Sequence, residues 1–114
     1  MKAISFTLNT AQSGIVTFTT KKILGSIKAI VINTLKPIVI TVSLDSMKNI
    51  KLMDNTQIEG ENYLPIRTDA IYAKGKKIER FNFSPQTYDI NDKLFFEISG
   101  EKSVSVGIEV IYNG

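Results

Sequence analysis

The 114-residue chain contains no cysteine, no histidine and no tryptophan. Without cysteine and histidine there are no thiol nucleophiles, no histidine acid–base or triad chemistry, and few ways to build a metal site. A disulfide framework is excluded as well, so cysteine usage says nothing about redox compartment. Long apolar runs are missing too. The longest, such as 29–32 and 38–40, have the length of strands, far short of the roughly 20 residues that span a bilayer as a helix. Residues 2–8 alternate polar and apolar with no apolar core after them, which is not the pattern of a secretory signal. The expectation is a protein without metal, cofactor or membrane, kept in a cytoplasm or assembled there into something larger.

Acids are absent from the first 44 positions, which carry Lys2, Lys21, Lys22, Lys28 and Lys36 for a charge of +5. The remaining 70 residues hold nine basic and eleven acidic side chains, or −2, and the whole chain is +3. A basic first third could face nucleic acid or an acidic partner. Nucleic-acid grooves, however, interleave arginine and aromatics, and the two arginines, Arg67 and Arg80, both lie outside this third. Scattered solvent lysines, or charge-complementary packing between copies, account for the asymmetry as well.

The chain is rich in isoleucine (17), threonine (10) and valine (7), β-branched types that favour strands. Period-2 alternation predicts strands at 3–8, with Ile4, Phe6 and Leu8 inward, and at 15–20, with Val16 and Phe18 inward. The turn-like 9–14 between them predicts a hairpin. Further strands are expected at 26–33, where Ile27, Ala29 and Val31 oppose Lys28, Ile30 and Ile32, and at 38–44, led by Ile38, Ile40, Val42 and Leu44. Asn33 to Pro37 reads as the break between them. From 45 to 62 the pattern weakens. A helical turn after Ser46 and a short strand at 49–53 are both compatible with it, and polar 54–62 reads as an exposed loop. Later strands are expected at 70–74, 77–83, 86–90, 93–99 (Leu94, Phe96, Ile98 inward) and 104–112 (Val104, Val106, Ile108, Val110, Tyr112 inward), with Gly107 on the opposite face. Eight or nine short antiparallel strands in one domain, 1–114, predict an all-β fold, a β-sandwich of jelly-roll type.

Candidate chemistry is thin. Asp45, Asp54, Glu59, Glu61 and Asp69 cluster around the central segment, but nothing supplies the apolar pocket and rigid spacing of a carboxylate acid–base pair, so they read as solvated acids. Asp89-Ile90-Asn91-Asp92 opens like a calcium loop, yet Lys93, Leu94 and Gly100 stand where ligand, glycine and glutamate are needed. Gly75-Lys76-Lys77 lacks the phosphate-loop context. No enzymatic activity is expected.

Several strands carry large apolar residues opposite their core face: Ile15, Ile30, Ile32, Val39, Phe95 and Ile111. Exposed together they would exceed the apolar patch of an ordinary monomer. They are therefore expected to form an interface with other copies or a second protein, unless a loop or barrel closure covers them. Asn55, Gln57, Glu59 and Glu61 are the expected loop contacts.

The second half carries a resemblance. Asn62-Tyr63-Leu64-Pro65-Ile66-Arg67, Gly75, Phe81 and Phe83, then 91–100 and 104–112 resemble small virion structural proteins of tailed bacteriophages, most of all the auxiliary or decoration components of phage heads. The similarity covers about residues 60–114. It implies a jelly-roll-like domain in many copies, docked on a capsid or neck lattice and partnered by itself or a major capsid protein, in a virion assembled in the host cytoplasm. It implies no enzymatic activity and no small-molecule substrate. No site residues carry over, because the shared pattern is structural. The competing expectation is a small carbohydrate- or ligand-binding β-sandwich using Tyr63, Tyr72, Tyr88 or Tyr112.

Overall fold

In the computed structural model, residues 2–65 and 88–114 are described. They form seven strands: β1 (Lys2–Asn9), β2 (Ile15–Thr19), β3 (Ile23–Leu44), β4 (Lys51–Pro65), β5 (Tyr88–Asp92), β6 (Leu94–Gly100) and β7 (Ser105–Asn113). All pairings are antiparallel, in one sheet of order β1-β7-β3-β6-β2, with β4 and β5 also on β3. The fold is all-β, and the sheet curls into a half-barrel. The strands expected at 70–74 and 77–83, together with Asp69 and Tyr72, lie outside the described residues.

β3 organises the sheet. Two strands separated by a break were expected over 26–44, but a single 22-residue strand runs through. One edge of β3 pairs β7 up to Thr34 and β6 from Ile38 onward. On the other edge the register with β4 jumps between Thr34 and Ile38. Residues 35–37 thus project from both ladders, and Pro37, which has no N–H to give, sits where none is called for.

The same crease runs through every neighbouring strand. The 10–14 turn between β1 and β2 wraps the 101–104 turn between β6 and β7: Ser103 N–H donates to the Ala11 carbonyl at 2.9 Å, and Gly100 N–H to Gly14 at 2.9 Å. Four of the positive-φ residues mark this line: Ala11, Gly14, Ser103 and Gly60. At Gly14 glycine is obligatory, since a Cβ would lie 2.5 Å from the Gly100 carbonyl oxygen. The crease divides the sheet into two limbs. The first holds β1, β7, the start of β3 and the end of β4; the second holds β2, β6, the end of β3 and the start of β4.

This geometry corrects the hairpin expected between 3–8 and 15–20. β1 pairs β7 and β2 pairs β6, so the turn after β1 carries the chain across the crease from one limb to the other instead of reversing it. β1 and β2 meet only across the core, where the Phe6 and Phe18 rings stand 4.5 Å apart and Phe96 lies edge-on to Phe6 at 5.3 Å.

One core lies between the limbs. Ile27, Ile30, Ile32, Ile38, Ile40, Val42, Leu94, Phe96, Ile98, Val106 and Val110 are at most 1% exposed. Two buried threonines close the strand ends in the same way. Thr10 N–H donates to the Val104 carbonyl (3.0 Å) and Thr10 Oγ1 accepts from Val104 N–H (2.9 Å). Thr20 does the same with Leu94, at 2.9 Å both ways.

Candidate functional site

The expected interface residues do not lie together. Ile30 and Ile32 are fully buried in the core, which corrects their placement on an outer face. The cause is a β-bulge. Ile27 opposes Tyr112 and Ala29 opposes Ile111, so Lys28 is an extra residue and the alternation inverts after it. Ile27 points inward before the bulge; Ile30, Ile32 and Thr34 point inward after it. Phe95 is half-buried under the Lys48 ammonium, 4.7 Å from its ring centroid. Ile111 is half-buried on the outer face of the first limb, in a row with Ala29.

Ile15 and Val39 do come together. Ile15 opposes Ser99, Ser99 opposes Val39, and Val39 opposes Gln57, which makes one row across the second limb beside the crease. Ile15 is 60% exposed. Leu35, at 93% exposure the most exposed large apolar residue described, projects from the crease next to this row. Lys36 beside it approaches Glu101 at 4.0 Å.

The polar segment expected as a loop at 54–62 is part of β4. Asn55, Gln57, Glu59 and Glu61 are all exposed, as expected, but from a strand. No helix follows Ser46; a turn closed by Ile50 N–H to the Met47 carbonyl leads into β4. Asp45 and Asp54 pair with Lys48 (3.2 Å) and Lys51 (3.5 Å). Of the candidate tyrosines, Tyr63 is 63% exposed and Tyr112 is buried in the core.

A depression of about 400 Å³ opens on the outer face of the first limb. Register alone builds it. One row runs Thr7, Gly107, Asn33, Glu61, and the next runs Ser5, Glu109, Val31, Tyr63. Gly107 leaves the floor open, while Ser5, Thr7, Asn33, Glu61 and Glu109 line the walls. The Ser5 hydroxyl donates to Glu109 Oε2 at 3.2 Å. Glu61 and Glu109 stand two strands apart, roughly 10 Å by strand spacing, so they flank the hollow rather than oppose each other. The lone glycine in an alternating strand was the sequence signal for this site. Its neighbours depend on pairings that no local pattern shows.

Among the described residues no group of three or more acidic side chains could hold a metal ion, and no helix is long and apolar enough to cross a membrane. Comparison with known proteins gives no matching family model, no matching curated protein and no matching solved structure.

Proposed function

We propose that this chain is a non-enzymatic structural subunit of a virion, of the auxiliary or decoration type, folded as a jelly-roll-like sandwich. It docks on other copies of itself or on a major capsid protein, in a capsid or neck lattice assembled in the host cytoplasm. Its likeness to small tailed-phage virion proteins over 60–114 supports this reading. The observation that carries it is the crease surface, where Leu35 and Ile15 stand exposed beside Val39 and Gln57. Scattered apolar residues are ordinary on a protein surface. Here two of the five large apolar side chains exposed among the described residues gather at one corner, which suits a contact made many times in a lattice.

Mass photometry and co-sedimentation with phage capsids test it. Oligomers or capsid binding, lost on Ile15→Asp with Leu35→Asp, are expected. A monodisperse monomer at high concentration with no affinity for capsids overturns the reading.

A further inference from the structure

Gly107 is a glycine that the fold does not require. It sits mid-strand in β7, in unbroken register with Thr7 on one side and Asn33 on the other, so no bulge explains it. It is absent from the positive-φ residues. Among the described residues a Cβ built on it would make only ordinary contacts, 3.8 and 3.9 Å from the Asn33 backbone oxygen and Cβ. Glycine inside a strand costs backbone entropy and β-propensity, and no described neighbour offers a packing return for it. What the missing side chain provides is the open floor of the depression on the first limb.

We infer that this depression is a binding site for a neutral or amino-bearing saccharide. The walls supply the groups that recognise sugar hydroxyls: the Ser5 and Thr7 hydroxyls, the Asn33 amide and the Glu61 and Glu109 carboxylates. Carboxylates accept hydroxyl and ammonium protons strongly. Among the described residues no lysine or arginine lines the hollow, and the two carboxylates there would repel an acidic sugar or a phosphate. Tyr63 stands two residues past Glu61 on the same face of β4, opposite Val31 in the adjacent row, and is 63% exposed. An exposed aromatic beside convergent polar groups offers a face for sugar C–H surface, the pairing of apolar body and polar handle that tyrosine supplies. This site does not rest on the assembly reading, since it occupies the opposite limb from the Ile15 row.

The test is amide-resolved NMR titration of the full chain with chitotriose, glucosamine and, as the acidic counterpart, sialyllactose, each at millimolar concentration. Chitotriose or glucosamine should shift the amides of Asn33, Gly107 and Glu109, and sialyllactose should not. Gly107→Val, which fills the floor, should weaken binding by about tenfold or more while the variant stays folded. Gly107→Ala, whose Cβ fits in place, guards against misfolding and should show a smaller loss. Tyr63→Ala should weaken binding roughly three- to tenfold. If neither sugar moves these amides, if sialyllactose moves them equally, or if Gly107→Val binds as wild type does, the site is refuted. Oligomerisation and capsid binding are read by mass and co-sedimentation, so the assembly reading stands or falls separately.

Discussion

The two limbs share an inner face and differ on the outer one. Inside, both present mainly isoleucine, valine, leucine and phenylalanine to one core. Outside, the strands flanking the crease diverge. β6 carries Ser99, Glu97 and Phe95 moving away from it, while β7 carries Ser105, Gly107, Glu109 and Ile111. The second position out is a full glutamate side chain on one limb and none on the other. The second limb also brings Ile15 and Val39 into one row, whereas the first sets hydroxyls, an amide and carboxylates around a hollow. Folding dictates the inner residues equally on both limbs. It does not dictate this outer difference, so the outer faces are where function is to be sought.

Removing what the limbs share should produce the largest effect. Phe96 is fully buried and its ring meets Phe6 of the opposite limb at 5.3 Å. Phe96→Ala should cost about 3–5 kcal/mol, a large part of a small domain's stability, and urea denaturation will measure it. If the limbs were independent, the loss would fall on the second limb alone, and amide exchange in β1 would be unchanged.

The next prediction compares the two threonine clamps. Thr10→Val strands the buried N–H of Val104, and Thr20→Val strands that of Leu94. Each also loses a hydroxyl donation, from Thr10 to the Glu101 carbonyl (2.6 Å) or from Thr20 to that of Lys21 (2.8 Å). An unsatisfied buried donor costs roughly 1–3 kcal/mol. The two variants should therefore destabilise alike, and the double variant additively, as the clamps lie at opposite ends of the strands. Thermal melts of the three variants check this.

How far these limbs could be read in advance follows from where alternation holds. Over 3–8, 38–44, 93–99 and 104–112 the period of two runs unbroken, and the inward residues were legible one by one. It failed at bulges. Lys28 inverts the phase of β3, so Ile30 and Ile32 read as outward although they are core. In β4 the register slips twice, between Thr56 and Met53 and between Met53 and Lys51, with Asn55 at positive φ. A strand broken in this way, with one buried apolar residue, Ile58, in its polar half, reads as a loop. Pairing partners were not legible either, because β1 meets β7 across about a hundred residues of chain. Gly107 could be noticed in sequence, but Asn33 and Glu61 became its neighbours only through register.

Gly107→Val sharpens the contrast between the limbs directly. It gives the first limb the side chain that the second has, at a site with room for a Cβ. Replacing a mid-strand glycine by a β-branched residue should raise stability by about 0.5–1 kcal/mol, visible as a higher melting temperature. A loss of stability instead would mean that glycine is there for packing, and the outer difference between the limbs would become a matter of folding.

The smallest effect is expected where the limbs join at the end opposite the crease. Asp92 ends β5 on the first limb, and Ser46 follows the end of β3 on the second. The Ser46 hydroxyl hydrogen-bonds to the Asp92 carboxylate, and Ser46 N–H donates to it at 3.3 Å. The hydroxyl bond is the main cause holding Asp92 below the ordinary aspartate range; partial burial opposes it, and the Lys93 N–H (2.7 Å) and the Lys22 charge add to it. A carboxylate whose folded pKa is depressed contributes stability that is fully present above its unfolded value, about 3.9, and is lost as pH falls through the folded value. Asp92→Asn should therefore melt slightly below wild type at neutral pH, and the two curves should converge in acid below that range. The group is largely open to solvent, so the gap stays small. Amide exchange should place the loosening at Ile23 and Leu44 and leave Thr10 and Val104 unmoved, because the crease lies at the other end of the strands from Asp92.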